Sequence, residues 1–324
     1  MKKNRIDMEM LRRRAEFIQL TRDYFIQKGY MEVETPILAP ALIPEPSLEV
    51  FRTLYLNPFE REAECFLIPS PELWMKRLIA QGSGNIFQIT KSFRNHEPAG
   101  PMHNPEFTLL EWYSIGYSYM DEIQVAESLI RFLIEEMNLG SELLPPFRRL
   151  SMQEAFSIYA GVDLNTTMSE DAIRKVALSL ETEVKKGESW EEIFQRLFLT
   201  RVEPALTDKP VILYDYPAGI PTLARKRGNY AERWELYLRG VEIANCYTEE
   251  TSVKRLKQLF MSEGQRKKGC RVQHPLDSGL LEAFSDFPSL CSGCALGMDR
   301  LFTVLLGFVS IERVLPFPFS KIFL

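Results

Sequence analysis

Apolar positions at Leu11, Ala15, Ile18 and Phe25 recur at helical spacing, and Gly29 stands where a left-handed residue closes a helix. The spacing predicts an amphipathic helix at the start of the chain. A short strand is expected over 30–35, stopped by Pro36. Residues 40–63, with Pro40, Pro44, Pro46 and Pro58, read as a loop. A strand over 65–68 leads into a helix with Ser70 as N-cap, Pro71 in first position and Glu72 against the dipole; Gly82 and Gly84 end it. Strands over 86–94 and 106–115, joined by the polar loop 95–104, form a long-looped antiparallel hairpin. Residues 120–200 carry helical periodicity with acidic and serine caps and little strand signal. Strand signal returns over 211–216 and in a hairpin of 233–238 and 241–247, turning at Arg239 and Gly240. A basic amphipathic helix covers 252–270, and a strand over 290–296 runs through Gly297 into a helix over 299–306. Antiparallel strands with helices around them give an α+β class.

Composition narrows the setting more than the fold. A chain of 324 residues buries about three quarters of its unfolded surface and needs no staple. At 45% hydrophobic and 26% charged it is not collagen-like, mucin-like or disordered. The net charge of −5 argues against a protein that coats nucleic acid. The clusters Arg12, Arg13, Arg14 and Arg225, Lys226, Arg227 read as solvated faces, or as docks for one acidic partner. The first residues are basic but lack the apolar run of a signal peptide, and the longest uncharged apolar stretch, 301–311, is far short of the roughly 20 residues that span a bilayer. Five cysteines, mostly far apart, fit a reduced chain. A cytoplasmic protein with no membrane contact is expected.

Three segments carry candidate chemistry. Alternation puts Phe107, Leu109, Glu111 and Tyr113 on one face of their strand and Glu106, Thr108, Leu110 and Trp112 on the other. Arg94 ends the facing strand. An arginine over an aromatic ring suits a nucleotide, as phosphate fork and base platform, although spacing alone favours a surface Arg beside a core Phe. In Glu242-Ile-Ala-Asn245-Cys-Tyr-Thr-Glu249, two carboxylates and an amide suit Mg²⁺ on ATP phosphates, an ammonium group, or merely a solvated hairpin end. Strict alternation sets Glu242 and Glu249 on opposite faces, so their convergence requires a bulge or the strand's end. Gly293 to Arg300 offers small residues for close approach to the backbone, Asp299 as a helix cap and Arg300 aimed back at the sheet. Cys291 and Cys294 form a lone CxxC with no second pair, more consistent with packing than with zinc or a disulfide.

Together these segments resemble the class II aminoacyl-tRNA synthetases. GYMEVETP at 29–36 resembles motif 1; Ser92, Phe93 and Arg94 with HNPEFT at 103–108 and EWY at 111–113 resemble motif 2; GMDRL at 297–301 resembles motif 3. HNPEFTLLEWY, and EIAN at 242–245 with Glu249, are similar to the lysyl branch. Ser70, where the lysyl enzymes have alanine, and Ala295, where they have glycine, resemble a truncated paralogue of that branch without the anticodon-reading OB-fold.

The resemblance implies a single catalytic domain over 1–324, a mixed and mainly antiparallel sheet flanked by helices, with a helical insertion at about 117–205. It implies no anticodon domain, no anticodon recognition, and a homodimer built on motif 1. The implied reaction uses ATP and Mg²⁺ to activate (R)-β-lysine or lysine as an adenylate and passes it to a lysine side chain of translation elongation factor P. Arg94, Glu242, Glu249 and Arg300 are the implied catalytic residues. Asn95, His96, Asn104, Phe107, Ile243 and Gly297 join Arg94, Glu242 and Arg300 around ATP, and Glu242 and Glu249 take Mg²⁺. Ser70, Glu72, Glu111, Tyr113, Asn245, Glu249 and Ala295 surround the amino acid. The sequence departs from the pattern at His96, where motif 2 has glutamate and Glu97 follows one step later. The loop 98–102 lacks the usual arginine, and Cys246 and Thr248 replace a glycine and a frequent histidine. Two alternatives stay open: a lysine-activating enzyme that charges an RNA, and a non-catalytic amino-acid-binding paralogue.

Overall fold

The computed structural model describes residues 6–59, 61–96 and 100–323; Glu97, the candidate substitute in motif 2, lies outside them. The chain opens with α1 (Met8–Gln27), β1 (Met31–Glu32), β2 (Leu38–Ala39), β3 (Arg52–Tyr55), β4 (Ala63–Leu67) and α2 (Glu72–Ala80). The long hairpin β5 (Ile86–Phe93) and β6 (Glu106–Ile115) follows, then α3 (Tyr119–Glu136), β7 (Arg148–Ser151), α4 (Met152–Ala160), α5 (Glu170–Ser179) and α6 (Trp190–Leu197). Next come β8 (Val211–Pro217), β9 (Lys226–Arg227), β10 (Tyr230–Leu238), β11 (Val241–Thr248), α7 (Val253–Lys267) and α8 (Ser278–Ala283). The chain closes with β12 (Cys291–Gly297), α9 (Met298–Leu305) and α10 (Phe319–Phe323).

One nine-stranded sheet organises the molecule in the order β1-β5-β6-β12-β11-β10-β8-β7, with β9 on β10; β2, β4 and β3 form a small separate sheet. The central pairings are antiparallel, and the edge pairs β1–β5 and β7–β8 are parallel. This is the expected mixed, mainly antiparallel α+β architecture. Among the described residues, no helix is long and apolar enough to cross a membrane.

Alternation along the strands sorts the core into two layers. Leu110 and Trp112 of β6, Trp234, Leu236 and Leu238 of β10, and Cys294 and Leu296 of β12 pack against α1, α3 and α9. On the opposite face, Val211, Leu213 and Tyr237 bury under Phe156 and Phe194 of α4 and α6. Further along that face, Ile86, Tyr113 and Cys291 bury under α2, α7 and α8. A trough remains between these two helical clusters.

Several details differ from the sequence expectation. The buried stripe of α1 runs Arg14, Phe17, Thr21, Tyr24, Phe25, whereas Ala15 is exposed; a buried arginine shifts the phase of the apolar pattern. The stretch 40–63 is not all loop, since it contains β3. Within 117–205, β7 extends the sheet; its Arg148 and Arg149 lie exposed at the edge, which hides the strand signal. The N-cap of α2 is Pro71 without a side-chain cap, so Ser70 does not cap it. Asp299 does not cap α9 either, because the helix starts from Gly297. Cys291 and Cys294 bury on opposite faces of β12, and Cys294 instead stands opposite Cys246 of β11.

Candidate active site

Strand register builds the site in rows across the trough. Gln88, Glu111, Ala295, Asn245 and Glu235 align from β5 to β10, and Tyr113, Gly293, Tyr247 and Arg233 form the next row. In β11, Ala244 pairs with Leu236 but Glu242 pairs with Tyr237, which leaves Ile243 as a bulge. The bulge resets the alternation, and Glu242 joins Asn245 on the trough side. This is the irregularity that the two carboxylates required.

Two cavities meet in the trough. One, of about 100 Å³, is lined by Ser70, Glu72, Glu111, Tyr113, Asn245 and Ala295. The other, of about 130 Å³, is lined by Asn104, Phe107, Glu242, Ile243, Gly297 and Arg300. Arg94, Asn245 and Ala295 belong to both. The Arg94 guanidinium lies 5.4 Å from the centre of the Phe107 ring, and its buried Nε has no hydrogen-bond partner. Arg300 donates to the carbonyls of Met102 (3.1 Å) and Glu242 (3.0 Å) and faces the Glu242 carboxylate at 3.7 Å.

The smaller cavity is crowded with carboxylates. Tyr113 OH donates to Glu111 Oε1 at 2.8 Å, while the buried Oε2 has no partner. Burial and Glu72 push the Glu111 carboxyl well above its ordinary range. Burial, followed by Glu72, raises Glu45 at the cavity's edge to about 7. Glu249 lies deeper, with Oε2 2.7 Å from Lys76 Nζ. Burial raises its carboxyl to about 8, against the pull of Lys76. Burial alone would lower the Lys76 ammonium, but Glu249 and Glu72 hold it above the usual lysine range. Four carboxyl groups, three of them raised, gather around Lys76 and Arg94, and a ligand bearing ammonium groups would favour their ionised forms.

The structure thus brings most of the sequence-derived residues together but not all. Asn95 turns away, its backbone N–H on the Glu49 carbonyl, and His96 is exposed; neither lines either of these two cavities. Glu249 sits on Lys76, while the like charge facing Glu242 is Glu235, which sequence reasoning missed. The surrounding protein and Glu235 raise the Glu242 carboxyl to about 7, although its side chain stays 41% exposed to the cleft. Glu235 accepts from Arg233 (2.5 Å), Tyr216 (2.6 Å) and Tyr237 (2.6 Å). Lys76 and Tyr247 were also missed, though periodicity marks them: four residues after Glu72 on a helix and two after Asn245 on a strand. Glu45, in a proline-rich segment, carries no such signal.

A profile described as tRNA synthetases class II (D, K and N) matches residues 2–321. The elongation factor P–(R)-β-lysine ligase of Yersinia enterocolitica is 34% identical over 318 residues, covering 96% of this chain and 95% of its own. The ligase of the same name from Avibacterium paragallinarum is 34% identical over 316 residues, with the same coverage. That from Vibrio atlanticus is 33% identical over 323 residues, covering 97% of each chain.

Proposed function

The chain belongs to the class II tRNA synthetases of the D, K and N group, and from that membership we propose an ATP-dependent ligase that joins (R)-β-lysine or lysine to a lysine side chain of translation elongation factor P. The observation that carries the reading is the place of Arg94, shared by the carboxylate-lined cavity and the Phe107–Arg300 cleft. With a diamino acid in the first and ATP in the second, the substrate carboxylate and the α-phosphate meet at one guanidinium.

In the first step a carboxylate oxygen attacks the α-phosphorus and the bond to pyrophosphate breaks. Arg94 neutralises the charge that builds on the phosphate, while Phe107 supports the adenine and Arg300 holds the γ-phosphate. Asn104, Ile243 and Gly297 shape the rest of the nucleotide cleft. Glu242 and its neighbour Glu235 offer the hard oxygen donors that fit Mg²⁺, which when bound neutralises and orients the triphosphate oxygens. In the second step the acceptor's ε-amine attacks the adenylate carbonyl carbon, the C–O bond to AMP breaks, and the amine releases a proton. A third cavity of about 390 Å³, between residues 43–47 and helices α6 and α7, shares Glu72, Asn245 and Tyr247 with the first and gives that amine a route. Catalysis is positioning and electrostatics, with no covalent enzyme intermediate.

The reading includes a cytoplasmic homodimer. Exposed Met31, Ile37, Leu38, Leu54, Leu56 and Phe59, around the short strands β1 to β4, support a partner surface there.

The test is the intact mass of elongation factor P after incubation with the enzyme, Mg·ATP and each lysine isomer separately. A gain of one lysyl residue is expected, larger with (R)-β-lysine. No gain with lysine-dependent pyrophosphate exchange intact would move the acceptor elsewhere, and the loss of both would leave a binding protein.

A further inference from the structure

Lys76 lies wholly inside the protein, with no exposed side-chain surface. It stands one helical turn after Glu72 on α2. Its Nζ is 2.5 Å from Glu72 Oε1, 2.7 Å from Glu249 Oε2 and 3.3 Å from Tyr247 OH. The rings of Tyr247 and Phe284 flank it at 5.2 and 5.8 Å. Tyr247 OH also donates to Glu72 Oε1 at 2.5 Å, so the three side chains lock one another. A buried ion pair is a poor way to gain stability, since an apolar side chain of similar volume serves as well or better. The charge therefore needs another reason.

The atoms left over supply it. Glu111 Oε2 and both oxygens of Glu249 are buried and have no hydrogen-bond partner, while their residues are 3% and 1% exposed. Lys76 pairs by charge with Oε2 of Glu249 and does not reach Oε1. Three carboxyl groups, Glu72, Glu111 and Glu249, surround one ammonium, and the raised Glu111 and Glu249 give up their protons when the ammonium groups of a substrate arrive, with Arg94 at the phosphate end to receive a carboxylate. We infer that Lys76 is a positioning residue: its ammonium fixes Glu72 and Glu249 and sets the cavity's charge to match a substrate with two ammonium groups. This rests on the proposed reading that the cavity takes a diamino acid.

Lysine-dependent pyrophosphate exchange by the full-length enzyme tests it, with Michaelis constants measured separately for the lysine isomers and for ATP. Lys76→Met should raise KM for the amino acid by roughly 10- to 100-fold, the range of one charged hydrogen bond, and leave KM for ATP within about twofold. Lys76→Ala should behave alike and recover several-fold when propylammonium supplies the missing chain and charge; propanol should not rescue it. If Lys76→Met does not fold, Lys76→Arg keeps the charge but moves the donors, and should still raise the amino-acid KM. A folded variant with unchanged amino-acid KM, an equal rise in both constants, or equal rescue by propanol would overturn the inference. A wild-type enzyme that neither binds a diamino acid nor exchanges pyrophosphate would defeat the functional reading and this inference together. An active wild type with an unaffected Lys76 variant would defeat this inference alone.

Discussion

A Cβ built on Gly293 would lie 2.5 Å from Tyr113 Cε1 and 2.9 Å from its Cζ, well inside van der Waals contact. The glycine lets the Tyr113 ring lie against β12, and that ring carries the hydroxyl holding Glu111. Gly293→Ala must therefore displace the phenol and disturb the carboxyl of Glu111, which lines the amino-acid cavity. The expected result is a rise of at least about tenfold in KM for the lysine substrate, on the order of one lost hydrogen bond, with little change for ATP. An unchanged amino-acid KM would show that the ring finds another rotamer. The need for a small residue was readable in the sequence, but what presses on it was not. Sequence suggested a ligand against the backbone, and the structure places an aromatic ring from the neighbouring strand there. Ala295, one row away and shared by both cavities, is the better candidate for contact with substrate.

Helix α9 shows how an element can be found in the sequence and its anchoring missed. Asp299 accepts from the Thr108 backbone N–H at 2.8 Å and from Arg14 Nη2 at 2.5 Å, and Arg14 also donates to Thr108 Oγ1 at 3.0 Å. One buried ion pair thus ties α1, β6 and α9 together just before Arg300 enters the nucleotide cleft. Local rules assign a Ser, Asp or Asn at a helix start to capping, and a run of three arginines to solvent. At Asp299 and Arg14 these readings fail because the partner is 285 positions away, beyond any local pattern, while Arg12 stays exposed as the run suggests. The strands fared better, since alternation alone gave the shared face of Phe107, Glu111 and Tyr113. The need for a bulge or strand end followed from counting positions between Glu242 and Glu249. Arg14→Met should leave Asp299 buried without its counter-ion, costing roughly 3–5 kcal/mol of stability. Urea unfolding would measure it, and a loss under about 1 kcal/mol would mean that Asp299 finds another donor. KM for ATP should rise as well, because Arg300 follows Asp299 on the same turn.

At the scale of the whole molecule, a single sheet carries a continuous core on one face and the divided, site-bearing layer on the other. The continuous core contains one group that hydrophobic patterning does not anticipate. Glu122 of α3 is fully buried and accepts from Trp112 Nε1 at 2.7 Å. Burial raises its carboxyl to about 7, with hydrogen bonds from Ser114 and Trp112 opposing the rise. In the unfolded chain the same carboxyl ionises near its ordinary value of 4.5. Between these two values the unfolded state loses its proton first, so Glu122 costs the folded state progressively more as pH rises from 4.5 to 7. The cost is absent below that window and constant above it. Glu122→Gln keeps an acceptor for Trp112 but removes the ionisation. Other titrating groups cancel when the two proteins are compared at each pH. The stability of the variant relative to wild type should therefore increase by roughly 3 kcal/mol between pH 4.5 and 7.5, at about 1.4 kcal/mol per pKa unit. Urea midpoints for both proteins across that range give the comparison. A constant difference would mean that Glu122 ionises in the folded core as readily as in the unfolded chain.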